Sequence, residues 1–214
     1  MKTACAASAL HAAAGAVGGA ALAHAHYLSA EHVIMPRHSG KQLSIEIDEL
    51  TNSIKEVSTG RVLPTEVVRL LSVHAAQVHK KDWSFNWHLE LLEPTREVYK
   101  LAISEEPGVI QGLVSLEDQT DHIFTHLLES AKQNRGRTKR FAGVPGNLLA
   151  FACQVSFDKG YAGFVSFVAK HALIQHYITT LGAQVLRGNR MYLDTHAGTM
   201  LVERYFNKSR NGPR

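Results

Sequence analysis

The middle third of the chain carries three consecutive stretches in which apolar and polar residues alternate. REVYKLAI covers residues 96–103, VIQGLVSL follows a turn at SEEPG, and HIFTHLLES covers residues 122–130. Alternation with a period of two is typical of β-strands that bury one face. Because the connections between these stretches are short, we predict an antiparallel meander. This feature most restricts the fold, since the buried face of a meander needs a second layer against it.

The hydrophobic period changes after the meander. Apolar residues recur at helical spacing from Leu148 to Val155, which predicts a helix that ends at Gly160. A short apolar strand, a helix closed by Gly182, a hairpin and a last helix capped by Thr195 follow. The strands on either side of the first helix should be nearly parallel and joined by a right-handed crossover. We therefore predict an α+β fold with a central, mixed, mostly antiparallel sheet flanked by helices.

Three earlier stretches were assigned by the same patterns. QLSIEIDEL, which begins at Gln42, alternates and predicts a half-buried strand. PTEVVRLLSVHAAQVH begins with Pro64 and shows helical spacing, so it predicts a helix. WSFNWHLELL predicts a strand that places Trp83 and Trp87 on one face, where both are expected to lie in the core.

The first 42 residues differ in composition from the rest of the chain. They are rich in Ala, Gly and His, and we expect a poorly ordered extension before a domain covering residues 43–214. The alternative is a secretory signal that ends near Ala25. Cys5 and Cys153 form neither a disulfide framework nor a zinc motif, which suits the cytoplasm. No metal site and no membrane span are expected.

A basic, glycine-containing loop links the meander to the first long helix. Five cations precede or begin it, namely Lys132, Arg135, Arg137, Lys139 and Arg140. A glycine turn lets the backbone approach a ligand, and the first N–H groups of a helix lack intrahelical partners. Together with the helix dipole they favour an anion such as phosphate. The plain alternative is a glycine turn that caps a helix beside a solvated basic loop.

The order of these elements resembles the GCN5-related N-acetyltransferase (GNAT) superfamily, including a group of small bacterial GNAT-like proteins. The superfamily loop is R/Q-x-x-G-x-G/A, and here it is matched by Arg140 and Gly143, with Pro145 at the third marked position and Gly146 one residue later. LIQHYITTLGAQ is similar to the later helix of the superfamily, which carries an inward tyrosine. The resemblance extends over about residues 43–206.

The resemblance implies a GNAT-like fold and acyl transfer from acetyl-CoA. It implies that backbone groups at the end of the HLLES strand bond the pantetheine arm, and that the glycine loop holds the pyrophosphate. The cofactor-binding residues implied in this way are Leu128, Ser130, Arg140, Gly143, Val144, Gly146 and Asn147.

Two residues are candidates for the chemistry of amine acetylation. Tyr177 stands where the resemblance places a proton donor for the leaving thiolate, although it can equally be a core tyrosine. Glu129 ends a strand on the same face as Leu127 and is a candidate general base, or else an exposed carboxylate. His122 and His126 share another face of that strand and are expected to face solvent. Cys153 is expected to be buried and inert.

The predicted function is acetyl-CoA-dependent N-acetylation of a primary amine, on a small molecule or a protein, by direct attack. One alternative is an inactive GNAT-like domain that binds acyl-CoA or a protein partner. Another is a toxin-type acetyltransferase acting on aminoacyl-tRNA, suggested by the basic run. The net charge of +4 does not by itself indicate nucleic acid, and nucleic acid is not the expected partner. A homodimer is a further possibility that the sequence leaves open.

Overall fold

The computed structural model describes residues 41–50 and 53–206, all within the compact unit formed by residues 39–214. The sequence prediction for residues 1–40 lies outside the described residues. The described strands are β1 (Ile54–Glu56), β2 (Val62–Leu63), β3 (Thr65–Leu70), β4 (Arg96–Ile103), β5 (Glu106–Asp118), β6 (Ile123–Ser130), β7 (Phe141–Ala142), β8 (Val165–Val168), β9 (Gln184–Arg187) and β10 (Arg190–Leu193). The α-helices are α1 (Trp87–Leu92), α2 (Val144–Asp158), α3 (Ile174–Leu181) and α4 (Thr195–Phe206).

Among the described residues, seven strands form one sheet in the order β3-β4-β5-β6-β8-β10-β9. Every neighbouring pair is antiparallel except β6 and β8, which run parallel on either side of the α2 crossover. A smaller sheet joins β2, β1 and β7. The prediction of an α+β fold with a mixed, mostly antiparallel sheet and a parallel pair around the first long helix is confirmed.

The sheet separates two apolar clusters, because alternate residues of β6 point to opposite sides. Leu128 packs with α2 residues such as Leu148 in the larger cluster. Leu127 packs with Trp83 and Trp87 in the smaller cluster beside α1. Both tryptophans are buried, as predicted. The two faces of β6 therefore lead to two different environments, which matters for the residues at its end.

Three local predictions from the sequence are wrong. The stretch from Pro64 contains the edge strand β3 followed by a 3-10 helix, Ser72–Gln77. WSFNWHLELL contains the short helix α1 rather than a strand. QLSIEIDEL forms no strand and makes a single parallel bridge through Leu43 to Ala169. In the first two cases short apolar runs fit both periods, and contacts with the rest of the chain decide between them.

Two smaller corrections concern side chains. The residue that caps α4 is Asp194, whose Oδ1 accepts the Ala197 N–H at 2.9 Å, and not Thr195. His122 and His126 are buried rather than exposed to solvent, with 8% and 3% of their surface accessible. Cys153 is fully buried in α2, as predicted, and burial raises the pKa of its thiol to about 12. That the thiol is inert stays a prediction.

Candidate functional site

The groove where β6 and β8 separate is the centre of the candidate site. The two strands pair only from Ile123 to Thr125 of β6, and the rest of β6, as far as Ser130, has no partner in β8. Two parallel strands that separate in this way leave backbone groups facing the opening between them. The N-terminus of α2 lies at the same end of the sheet, because α2 follows β6 in the crossover.

The loop before α2 has the geometry that the sequence predicts. Gly143 has a positive φ of 87°, which favours glycine, and its carbonyl accepts the Asn147 N–H at 3.0 Å. Pro145 occupies the second helical position, where its missing N–H costs nothing. The N–H groups of Val144 and Gly146 precede the first intrahelical donor. The turn therefore presents backbone donors and the positive end of the helix dipole.

A carboxylate from within the chain, that of Asp48, contacts this turn. The Gly143 N–H donates to Asp48 Oδ1 at 3.1 Å, and Lys139 Nζ lies 2.8 Å from Asp48 Oδ2. A carboxylate held by a backbone N–H at a helix N-terminus and by a lysine has the partners that a phosphate would have. We call this contact of Asp48 with Gly143 and Lys139 the anion site.

A cleft of about 760 Å³ opens beside this anion site. Its lining carries both charges, and the cations are contributed by the basic loop and by Lys170, which follows β8. The charged residues that line the cleft are Glu46, Asp48, Arg135, Arg137, Lys139 and Lys170. Since the cations outnumber the carboxylates, the cleft favours an anionic ligand.

Tyr177 is connected to the cleft through Ile45, which lines it. Its side chain is fully buried, its ring packs edge-on against Phe167, and its hydroxyl donates to the Ile45 carbonyl at 2.6 Å. Burial raises the pKa of the Tyr177 phenol. The hydroxyl is thus protonated at neutral pH and directed toward the residues that occupy the groove.

The segment Leu43–Asp48 lies in the groove and connects these groups. Leu43 N–H donates to the Val168 carbonyl at 2.7 Å, and the Lys170 N–H donates to the Leu43 carbonyl at 2.9 Å. Ala169, between them, bonds instead to Asn189 on the β10 side. Because neighbouring residues of a strand bond to opposite sides, the segment lies on the edge of β8 that faces β6.

Glu129 is held by donors on both of its carboxylate oxygens. Oε1 accepts the Ser84 N–H at 2.6 Å and an Arg135 N–H at 2.5 Å, and Oε2 accepts the Trp87 indole N–H at 2.7 Å and the Phe85 N–H at 3.3 Å. It shares the face of Leu127, as predicted, but it is buried rather than exposed. Four donors hold both oxygens of the carboxylate in place, so these contacts suit a positioning residue. That Glu129 is a general base stays a prediction.

The end of β6 carries the residues expected to meet the pantetheine arm. Leu128 is buried in the larger cluster, so only its backbone can serve a ligand. Ser130 lines the cleft, and its buried Oγ has no hydrogen-bond partner among the described residues. The Ser130 carbonyl accepts the Arg135 Nε–H at 2.6 Å. Arg135 also donates to Glu129 and to Ser84 Oγ, so it ties the end of β6 to the segment before α1, a role that its place in the basic run did not predict.

Three loop residues that were expected to bind the cofactor make other contacts within the chain. The Arg140 guanidinium lies over the Phe141 ring at 4.8 Å, and Arg140 is not among the residues that line the cleft. The Asn147 side chain donates to Thr65 Oγ1 at 3.0 Å, away from the cleft. A Cβ at Gly146 would lie 2.2 Å from the Tyr205 hydroxyl, so Gly146 also allows α4 to pack closely. The cofactor contacts of these residues stay predictions.

Sequence reasoning missed Asp48, His176 and Lys170. His176 Nε2 accepts the Ile47 N–H at 2.8 Å, whereas the sequence pattern favours a side chain that points elsewhere. The alternation Leu43, Ile45, Ile47 did signal an extended segment, but nothing in it indicated that its partner is the edge of β8. Within the described residues, no group of three or more His, Cys, Asp or Glu is placed to hold a metal ion.

Comparison with known proteins finds similarity at the level of structure. No protein-family model and no curated protein matches the sequence. A solved structure of AtaTR bound with AcCoA is 16% identical, with 64% of this chain and 97% of that chain covered and a TM-score of 0.43. A chimera of the spermidine N-acetyltransferase SpeG, from Vibrio cholerae and hSSAT, is 10% identical, with 63% and 98% covered and a TM-score of 0.43.

The order of elements gives its own evidence on the fold. The strand ending LLES, the basic glycine loop, the helix, the short strand, the tyrosine-bearing helix and the last strands occur as β6, α2, β8, α3, β9 and β10. No described helix is long and apolar enough to cross a membrane. This order of elements is the one that the resemblance to the GNAT superfamily implied.

Proposed function

We propose that this chain is an acetyl-CoA-dependent N-acetyltransferase that moves an acetyl group to a primary amine by direct attack. The observation that carries the proposal is the Asp48 carboxylate bound at Gly143, beside a cationic cleft whose lining residue Ile45 accepts a hydrogen bond from the Tyr177 hydroxyl. An anion site and a neutral proton donor in one groove are what a reaction with a phosphate-bearing thioester needs.

The residues present fit the phosphate end of acetyl-CoA. The Gly143 N–H and Lys139 would hold pyrophosphate oxygens, as they hold the Asp48 carboxylate in this structure. The N–H groups of Val144 and Gly146 extend the same donor set. The unpartnered Ser130 Oγ, buried at the end of β6, suits an amide of the pantetheine arm. Bound acetyl-CoA would supply the thioester whose carbonyl carbon accepts the amine.

Tyr177 has the properties of the proton donor. Its hydroxyl is neutral at physiological pH because burial raises the pKa of the phenol. The hydroxyl donates a hydrogen bond to the Ile45 carbonyl at 2.6 Å, and a leaving sulfur in place of that carbonyl would receive the proton. The acceptor amine must lose its own proton before it attacks. Glu129 is the candidate base from the sequence, but the four hydrogen bonds to its carboxylate favour a positioning role instead. We expect the reaction to take place in the cytoplasm.

Calorimetric titration with acetyl-CoA tests the proposal. Lys139→Ala removes a cation from the anion site, and Lys159→Ala is the matched control, because Lys159 pairs with Asp118 at 3.0 Å outside the cleft. Loss of one charge-assisted phosphate contact, worth about 1.5–3 kcal/mol, should weaken binding by about tenfold to a hundredfold. The control should bind like the unaltered protein. Absence of binding to the folded, unaltered protein would refute the proposal.

The inactive GNAT-like domain is the second candidate. The observation that favours it is the filled groove, since Leu43 and Ile47 are 1% and 2% exposed and belong to the core. Binding of acetyl-CoA without turnover on a panel of primary amines would favour this candidate.

The aminoacyl-tRNA alternative depends on free cations in the basic run. Arg135 binds Glu129, Lys139 binds Asp48, and Lys132 Nζ donates to the Lys81 carbonyl. These cations have partners within the chain, so they do not favour RNA as the acceptor. Steeply salt-dependent binding of tRNA would reverse this preference.

A further inference from the structure

The segment Leu43–Asp48 occupies each part of the groove that the proposed ligand needs. Its backbone lies on the edge of β8. The Ile45 carbonyl accepts a hydrogen bond from the Tyr177 hydroxyl, and the Asp48 carboxylate accepts one from the Gly143 N–H. We propose that this segment is a built-in competitor of the phosphate-bearing ligand, which must displace it in order to bind. The inference rests on the proposed function.

The competition is most direct at the anion site. One backbone N–H and one lysine cannot serve a carboxylate and a phosphate at the same distances, and two anions there repel each other. Asp48 therefore has to leave Gly143 and Lys139 before a phosphate takes its place. Its neighbour Glu46 also lines the cleft and adds a second negative charge against an anionic ligand.

The competition extends along the groove to the Tyr177 hydroxyl, the proposed proton donor. The Tyr177 hydroxyl has its hydrogen bond satisfied by Ile45, and the Ile47 N–H is satisfied by His176 Nε2 at 2.8 Å. A ligand that replaces the segment would free the Tyr177 hydroxyl and the β8 edge in the same movement. An extended chain is well suited to this exchange, because strand addition lets one extended segment replace another on the same edge.

The way the segment is held makes displacement feasible. Only Leu43 forms a ladder contact, a single parallel bridge to Ala169, so within the described residues the segment is not a strand of either sheet. The side chains of Leu43 and Ile47 are its apolar anchors, whereas Ser44 and Glu46 are exposed. Weakening the Asp48 contact should therefore loosen one end of the segment and leave the apolar anchors intact.

Asp48→Asn in the full chain tests the inference, with Asp118→Asn as the matched control. Asp118 also binds a lysine, Lys159, at 3.0 Å, but outside the cleft. Calorimetry with acetyl-CoA, and separately with inorganic pyrophosphate, should show about fivefold to tenfold tighter binding for Asp48→Asn. The control should be unchanged. Amide exchange at Ile47, whose N–H is held by His176, should speed up when acetyl-CoA saturates the protein.

The outcomes separate the inference from the proposed function. Tighter pyrophosphate binding by Asp48→Asn, with no acetyl-CoA binding by any variant, would support competition at the anion site and refute the proposed function. Acetyl-CoA binding that is equal in the unaltered protein and in Asp48→Asn, with Ile47 still protected, would refute the competition and leave the proposed function standing. No effect of Asp48→Asn on either probe would also refute the competition.

Discussion

Replacing Glu129 with glutamine separates a positioning role from a catalytic one. The carboxylate accepts four hydrogen bonds, two on each oxygen, and the residue is 3% exposed. Glutamine has one carbonyl oxygen, so its NH2 group must face two of the four donors. Losing two hydrogen bonds to a charged acceptor, at about 1.5 kcal/mol each, lowers the free energy of unfolding by about 3 kcal/mol.

Urea unfolding, monitored by circular dichroism, measures this loss of unfolding free energy. Turnover is then measured at a temperature where the variant stays folded. Glu90→Gln is the control, because Glu90 is buried as well and accepts hydrogen bonds from Arg96 and Ser115, both at 2.8 Å. Both variants should lose stability and keep kcat within about threefold. A stability loss under about 1 kcal/mol with a fall in kcat of about a hundredfold or more would refute the positioning role and establish Glu129 as the general base.

Three further predictions follow from buried groups. Tyr177→Phe should lower kcat by about tenfold to a hundredfold with little change in acetyl-CoA affinity, as measured by steady-state kinetics and calorimetry, because only the proton donor is lost. In a Cys5→Ser background, Cys153 should react with a thiol reagent only after unfolding, since burial raises its pKa to about 12; reaction in the native protein would contradict this. Burial lowers the pKa of His126, an effect that its hydrogen bond to Glu117 opposes in part, so the folded state favours the neutral ring. The stability that His126 contributes is therefore present above its unfolded pKa of about 6.5 and is lost as pH falls below it. Thermal unfolding between about pH 5 and pH 7.5 should show a shallower pH dependence for His126→Gln, and an identical slope would contradict the assignment.

The sequence predicted best where local pattern and tertiary environment agree. The meander over Arg96 to Ser130 needed only period-two alternation, and α2 needed only helical spacing and a glycine at each end. The glycine turn at Gly143 was predictable, because its chemistry is local to the chain. Such features depend on residues that are near each other in sequence, so contacts with distant parts of the chain do not alter them.

The wrong assignments share a physical cause. The stretch from Pro64 has apolar residues that fit a helix or a strand, and pairing with β4 selects the strand. The start of α1 is fixed by Glu129, which lies 42 residues further along the chain and holds Trp87 and the N–H groups of Ser84 and Phe85. No local period encodes a partner at that separation.

The sequence by itself determined the fold class, the parallel pair around α2 and the anion-binding turn at Gly143. Only the tertiary structure decided what lies at that turn. The contacts Asp48 to Gly143 and Tyr177 to Ile45 join residues 95 and 132 positions apart. Contacts of this kind form only when a groove brings distant segments together, because hydrophobic alternation specifies that a segment is extended and not which strand edge it will cover.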